Sequence, residues 1–118
     1  METGLILRWG FPKAGREDAA EGLFEQSVGY FGDLLAKEKI TFFEPFLYRT
    51  GEAGGFAVVK GEQAEISEIV TSEPFLTFVS KAHYVVDDFR VDYAWVGQEI
   101  PEVMSLGAKA RVDLGLVH

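Results

Sequence analysis

Residues Ile40–Lys60, ITFFEPFLYRTGEAGGFAVVK, decide the fold. Ile40 to Arg49 and Phe56 to Lys60 are both rich in aromatic and β-branched side chains, the residue types that suit a pleated, half-buried surface. Between them Gly51-Glu52-Ala53-Gly54-Gly55 forms a glycine-rich five-residue loop, so the stretch reads as a β-hairpin. Pro45 cannot donate to a central ladder, which places the first of the two strands at a sheet edge or a bulge.

Outward from the hairpin, each side repeats one pattern. Before it, Gly4 to Phe11 (GLILRWGF) is a short strand with Leu5, Leu7 and Trp9 on one face, closed by Pro12. A helix over Arg16 to Lys39 follows, in which Ala20, Leu23, Phe24, Val28, Phe31, Leu34 and Leu35 recur at helical spacing. Gly22, Gly29 and Gly32 interrupt it at about 1 kcal/mol each, which calls for close approach of another backbone. After the hairpin, Gly61 opens a helical stretch with Ile66, Ile69 and Val70 inward, and Ser72-Glu73-Pro74 restarts it. Phe75, Phe78, Val79 and Ala82 form its buried stripe, and Tyr84 to Val96 is the last strand.

The order is β-α-β-β-α-β. Two right-handed crossovers put both helical segments on one face of a four-stranded antiparallel sheet, an α+β ferredoxin-like arrangement with the second and fourth strands as edges. Residues 1–97 make that domain. Residues 98–118 form a C-terminal extension, whose Met104, Leu106, Ala108, Val112, Leu114 and Leu116 predict a short helix and an arm packed on the domain or on a partner subunit.

Composition narrows the partners. The 118 residues fit one domain, and 47% hydrophobic content supplies ample apolar surface to offset ordering entropy. Nineteen acidic against eleven basic residues give a net charge of −8, which repels phosphate backbones and anionic lipid, so neither nucleic acid nor membrane is expected. With no cysteine, no long apolar run and no leader-like start, the expectation is a cytoplasmic protein without disulfides.

The sheet brings more apolar surface than two helices can cover. The second strand offers large side chains to both faces, and Val85, Phe89, Val91, Tyr93 and Trp95 alternate onto one side of the fourth. Leaving five such side chains in water forgoes on the order of 10 kcal/mol at about 2 each, comparable with the whole stability of such a domain. The expected partner is a second copy, packed sheet to sheet in a homodimer.

Here the chain resembles the dimeric α/β-barrel superfamily, and within it the YCII-related proteins. The resemblance rests on Gly54-Gly55-Phe56 leading into Val58-Val59, on Glu73-Pro74-Phe75 where that family commonly has Asp-Pro-Phe, and on the apolar closing strand; it covers about the central two-thirds of the chain. The superfamily includes small monooxygenases, isomerases and lyases. The histidine-aspartate pair proposed as catalytic in YCII-related proteins has no match here, because no histidine precedes or lies in the first helix.

Candidate chemistry is sparse. His83 is the one internal histidine, a residue type suited to general-base work near neutral pH. On an extended strand Asp87 lies roughly 13 Å from it, too far for a dyad. Asp87-Asp88 interrupts a long strand and signals a bulge that turns a carboxylate toward a pocket, or an edge protected by charge. Glu44 shares a face with Phe42, Phe46 and Tyr48 and needs a partner there; Arg8 is the candidate. Lys13, Gly15 and Arg16 precede a helix N-terminus without a phosphate fingerprint, and Glu17, Glu21 and Glu25 read as a solvated face, not a metal site. No cofactor is indicated.

Two readings follow. In one, the chain is a non-catalytic dimeric module, either structural or binding a protein partner or a small molecule, the latter in a cleft between sheet and first helix lined by Arg8, Trp9, Phe42, Tyr48 and Phe56. In the other, His83, Asp87 or Glu44 adds acid-base catalysis in that cleft, and the chain is a cofactor-independent lyase, isomerase or monooxygenase acting on a small aromatic or carbonyl metabolite.

Overall fold

A computed structural model describes residues 1–49 and 54–116. Its elements run β1 (Glu2–Trp9), α1 (Glu17–Ala36), β2 (Phe42–Leu47), β3 (Gly55–Glu62), α2 (Gln63–Val70), α3 (Glu73–Val85), β4 (Arg90–Trp95) and α4 (Glu99–Asp113). The strands form one sheet in the order β2-β3-β1-β4, antiparallel at every pairing. This is the ferredoxin-like α+β fold, with β2 and β4 at the edges and Pro45 on an edge strand, where its missing N–H costs the ladder least. Most of the hairpin loop lies outside the described residues.

Strand register sorts the side chains. Leu5 pairs with Val59 and Tyr93, and Leu7 with Ala57 and Val91, so these share one face. On it the core assembles: Leu5, Leu7 and Val59 meet Phe31 of α1, Ile66 and Ile69 of α2, and Phe75 and Ala82 of α3, all buried. Ser72 precedes α3 and Pro74 occupies its first turn, as the sequence implies. No helix among the described residues is long and apolar enough to cross a membrane.

Three details depart from the sequence reading. The last strand begins at Arg90, not Tyr84. The apolar period of Phe75, Phe78, Val79 and Ala82 continues, so Tyr84 and Val85 close α3 and the Val86 amide still bonds the Ala82 carbonyl at 3.0 Å. Asp88, at φ 56°, then turns the chain into β4. Second, Val91, Tyr93 and Trp95 belong to the helix side of the sheet, opposite Leu7, Leu5 and Thr3. The uncovered face instead carries Ile6, Phe42, Phe46, Phe56 and Val58, together with Arg8, Glu44, Lys60, Arg90 and Asp92. Third, a Cβ on Gly22, Gly29 or Gly32 meets no described atom within 4 Å, so no backbone packs against that side of α1 in the single chain.

The extension forms a 15-residue helix. Only its start is buried, at Glu99; Ile100, Met104, Leu106 and Val112 stay exposed. It has no extensive interface with any other element. The radius of gyration, 17.2 Å, therefore exceeds the roughly 13–14 Å of a compact chain this long.

Candidate ligand-binding cavity

Between the sheet and the pair α1 and α3 lies a cavity of about 390 Å³. Its floor comes from alternate residues of three strands: Leu7 and Trp9 of β1, Phe43, Pro45 and Leu47 of β2, and Ala57 of β3. Leu23, Phe24 and Phe31 of α1 and Phe78 and Ala82 of α3 close it from above. The hollow has a compositional cause. Ala57 stands on the floor between Pro45 and Leu7, while Ala20 and Ala82 stand on the roof, so facing positions carry single methyl groups where larger side chains would meet. Aromatic rings frame the space: Trp9 tilts against Phe24 at 5.8 Å, Phe31 stacks on Phe43 at 5.1 Å, and Phe78 meets Phe89 edge-on at 5.8 Å.

The floor depends on glycine. Gly54 sits at φ +91°, and a Cβ there would fall 2.2 Å from the Trp9 carbonyl oxygen and 2.6 Å from that of Gly10. A Cβ on Gly55 would fall 1.9 Å from the Phe46 carbonyl oxygen. The Gly54-Gly55-Phe56 motif is thus what lets the hairpin close on the end of β1. That end is also tied to the connection before β4: the Gly10 amide donates to the Asp87 carbonyl and the Asp87 amide to the Phe11 carbonyl, each at 2.8 Å.

Polar side chains are few and lie toward the mouth. Glu17 and Glu21 line the cavity while remaining exposed, one helical turn apart on α1. The Glu17 carboxylate accepts the Gly15 amide at 2.9 and 3.0 Å, which fixes it. The Ser27 hydroxyl donates to the Phe24 carbonyl at 2.7 Å and so offers a ligand only its oxygen.

Of the eight residues singled out from the sequence, Trp9 alone lines this cavity. Phe42, Tyr48 and Phe56 are not in the cleft: Phe42 and Phe56 occupy the uncovered face, where Phe56 stacks on Phe46 at 4.7 Å, Tyr48 lies 6.1 Å from Phe56, and Lys60 sits 4.6 Å over Phe42. Arg8 and Glu44 also face that side, but β3 runs between their strands and no pair forms. Arg8 stands opposite Arg90 instead. His83 is exposed in the last turn of α3 and touches Phe89 edge-on at 5.4 Å; the cavity is lined by Phe89. Asp87 is exposed and paired with Lys13 at 3.1 Å. Glu17, Glu21, Ser27 and Phe43 are the residues that sequence reasoning missed. Strand parity held the signal: charged Arg8, Glu44 and Asp92 belong on the open face, which sends Trp9, Phe43, Pro45, Leu47 and Val91 to the helices.

No protein-family model matches the chain, and no curated protein matches its sequence. Solved structures do. A dimeric protein of unknown function and ferredoxin-like fold from Bacteroides fragilis aligns over 80% of this chain and 96% of its own at 11% identity and TM-score 0.61. SnoaB, a cofactor-independent oxygenase from Streptomyces nogalater, aligns over 82% and 94% at 12% identity and TM-score 0.63. Rv0793 from Mycobacterium tuberculosis aligns over 83% and 97% at 11% identity and TM-score 0.67. Likeness at these identities is a likeness of fold.

Proposed function

We propose that this protein binds a small, flat, largely apolar molecule, an aromatic or carbonyl compound, in the cavity between the sheet and α1 and α3. The observation that carries this reading is the cavity itself: about 390 Å³, framed by aromatic rings, with its carboxylates confined to the mouth. Apolar concavities of this size with a few polar groups are the usual form of small-molecule sites. Calorimetric titration with two-ring aromatic compounds tests it. Binding is expected to saturate in the native chain and to vanish in Ala20→Phe, whose ring enters the space beneath α1; unchanged affinity in that variant removes the reading.

A second reading, turnover of the bound compound, is favoured by the similarity to SnoaB, a cofactor-independent oxygenase. Chemistry of that class, or of the YCII-related lyase and isomerase type, needs a group that takes a proton from the ligand. Among the described cavity-lining residues only Glu17 and Glu21 bear ionisable acid-base groups, and Glu17 is held in place by the Gly15 amide while Glu21 is free to turn toward a ligand. Glu21 is then the base. Oxygen uptake that depends on the bound compound and collapses in Glu21→Gln would support turnover; uptake unaffected by that change would remove Glu21 from the role.

We further propose a homodimer through the uncovered sheet face. Its aromatic column of Phe42, Phe46 and Phe56 remains without a covering layer, and Glu44 on β2 lies across the face from Arg8 and Arg90 on β1 and β4. A two-fold stacking that sets β2 over the partner's β1 and β4 unites opposite charges that β3 keeps apart in one chain. Helix α4, whose Ile100, Met104, Leu106 and Val112 stay exposed in its own chain, packs on the partner in this arrangement.

A further inference from the structure

We infer that the cavity mouth selects its ligand by charge, taking an aromatic compound that carries a protonated amine and rejecting one that carries a carboxylate. This rests on the cavity being a ligand site. Among the described residues, four side chains that line it have polar atoms: Trp9, Glu17, Glu21 and Ser27. Three of them present acceptors. The Glu17 oxygens are anchored by the Gly15 amide, the Ser27 hydroxyl donates its hydrogen bond to the Phe24 carbonyl, and Glu21 forms no hydrogen bond or ion pair with any described residue. The Trp9 indole is the sole side-chain donor among them.

The mouth is also electrostatically one-sided. Glu17 and Glu21 are one turn apart, the spacing at which two carboxylates repel each other on a helix. Asp18 and Glu25 lie on the same half of α1. Of the nearby cations, Lys13 is paired with Asp87, and the Arg16 guanidinium, still charged, is held on the Tyr84 carbonyl. Among the described residues no lysine or arginine lines the cavity. An ammonium group at the mouth, with its aromatic body among Trp9, Phe24 and Phe43, relieves the Glu17–Glu21 repulsion and supplies three donors where acceptors wait. A carboxylate there adds a third negative charge.

Three probes with one two-ring body settle it by calorimetry at low and high salt: 2-naphthylmethylamine, 2-naphthylmethanol and 2-naphthoate. The expected order of affinity is amine, alcohol, carboxylate. The amine should exceed the alcohol about fivefold, as for a partly exposed charge pair, with the step shrinking in salt. Glu21→Gln, a change on the exposed side of α1, should lower amine affinity about threefold to fivefold and leave the alcohol unchanged; Glu17→Gln with Glu21→Gln should erase the order. An alcohol that saturates with no preference for the amine, or a carboxylate that binds best, overturns charge selection and leaves the cavity reading standing. Failure of all three to bind overturns both.

Discussion

Gly54→Ala separates two physical effects and connects both to the site. At φ +91° an alanine incurs roughly 1–2 kcal/mol of backbone strain. Its Cβ would also stand 2.2 Å from the Trp9 carbonyl oxygen and 2.6 Å from that of Gly10, and backbone cannot rotate aside as a side chain can. Displacing those strands adds about 1–3 kcal/mol, by analogy with overpacked cores. The total, about 2–5 kcal/mol, is a large share of the 5–15 kcal/mol typical of a domain, and corresponds to a fall in Tm of roughly 10–20 °C. Two further variants resolve the parts by thermal melting. Gly15→Ala, at φ +79° with nothing within 4 Å, should show the backbone strain alone, about 1–2 kcal/mol. Gly29→Ala, in an open helix face, should stabilise the monomer by up to about 1 kcal/mol. Because Trp9 and Gly10 both line the cavity, Gly54→Ala should weaken binding of a two-ring aromatic while Gly15→Ala leaves it intact. A Gly54→Ala protein that melts with Gly15→Ala would refute the argument from backbone contact.

Other outcomes follow from the same geometry. Phe31→Ala removes a ring that is 1% exposed and stacked on Phe43, so chemical denaturation should show a loss of about 3–5 kcal/mol. His83→Ala, Asp87→Asn and Glu44→Gln, all outside the cavity, should leave ligand affinity within about twofold; Asp87→Asn should cost less than about 1 kcal/mol of stability, since its pair with Lys13 is exposed. Glu44→Lys should shift a sedimentation equilibrium toward monomer by about tenfold if two facing charge pairs reverse. Deletion of Ala108 to His118 should weaken the dimer and spare the monomer melt, since α4 has no extensive interface in its own chain; an unchanged dimer constant would remove α4 from the interface.

The element order was legible because each element carries its own signal. Alternation in β1, the Phe75–Ala82 stripe in α3 and Pro74 at its first turn are local patterns, and topology follows from their order by connection rules. What misled was local ambiguity. Tyr84-Val85 has strand-forming side chains, yet it continues a helix whose buried stripe already determines where the chain lies, and tertiary packing outweighs β-preference of about 1 kcal/mol. The α1 glycines are another case: a helix-weakening residue implies compensation, and within one chain the structure supplies none.

The candidate site was harder to read, since a cavity is a set of absences. Ala20, Ala57 and Ala82 are far apart in sequence and unremarkable one by one; only the crossovers and strand register bring their small side chains to face each other across the same space. Chemically expressive residues drew attention instead. His83 and Asp87 sit on the outside of the α3–β4 connection, where Asp87 holds Lys13 and its backbone clasps the end of β1. The Asp87 backbone ties down Gly10 at the cavity wall, and the His83 ring rests edge-on against Phe89 from outside. The charged residues do carry positional information of another kind. Arg8, Glu44 and Asp92, each costly to bury, mark the uncovered face of their strands and thereby assign Trp9, Phe43 and Val91 to the covered one. Keeping three ions off the apolar, helix-covered side of the sheet therefore determines which aromatic rings frame the cavity there.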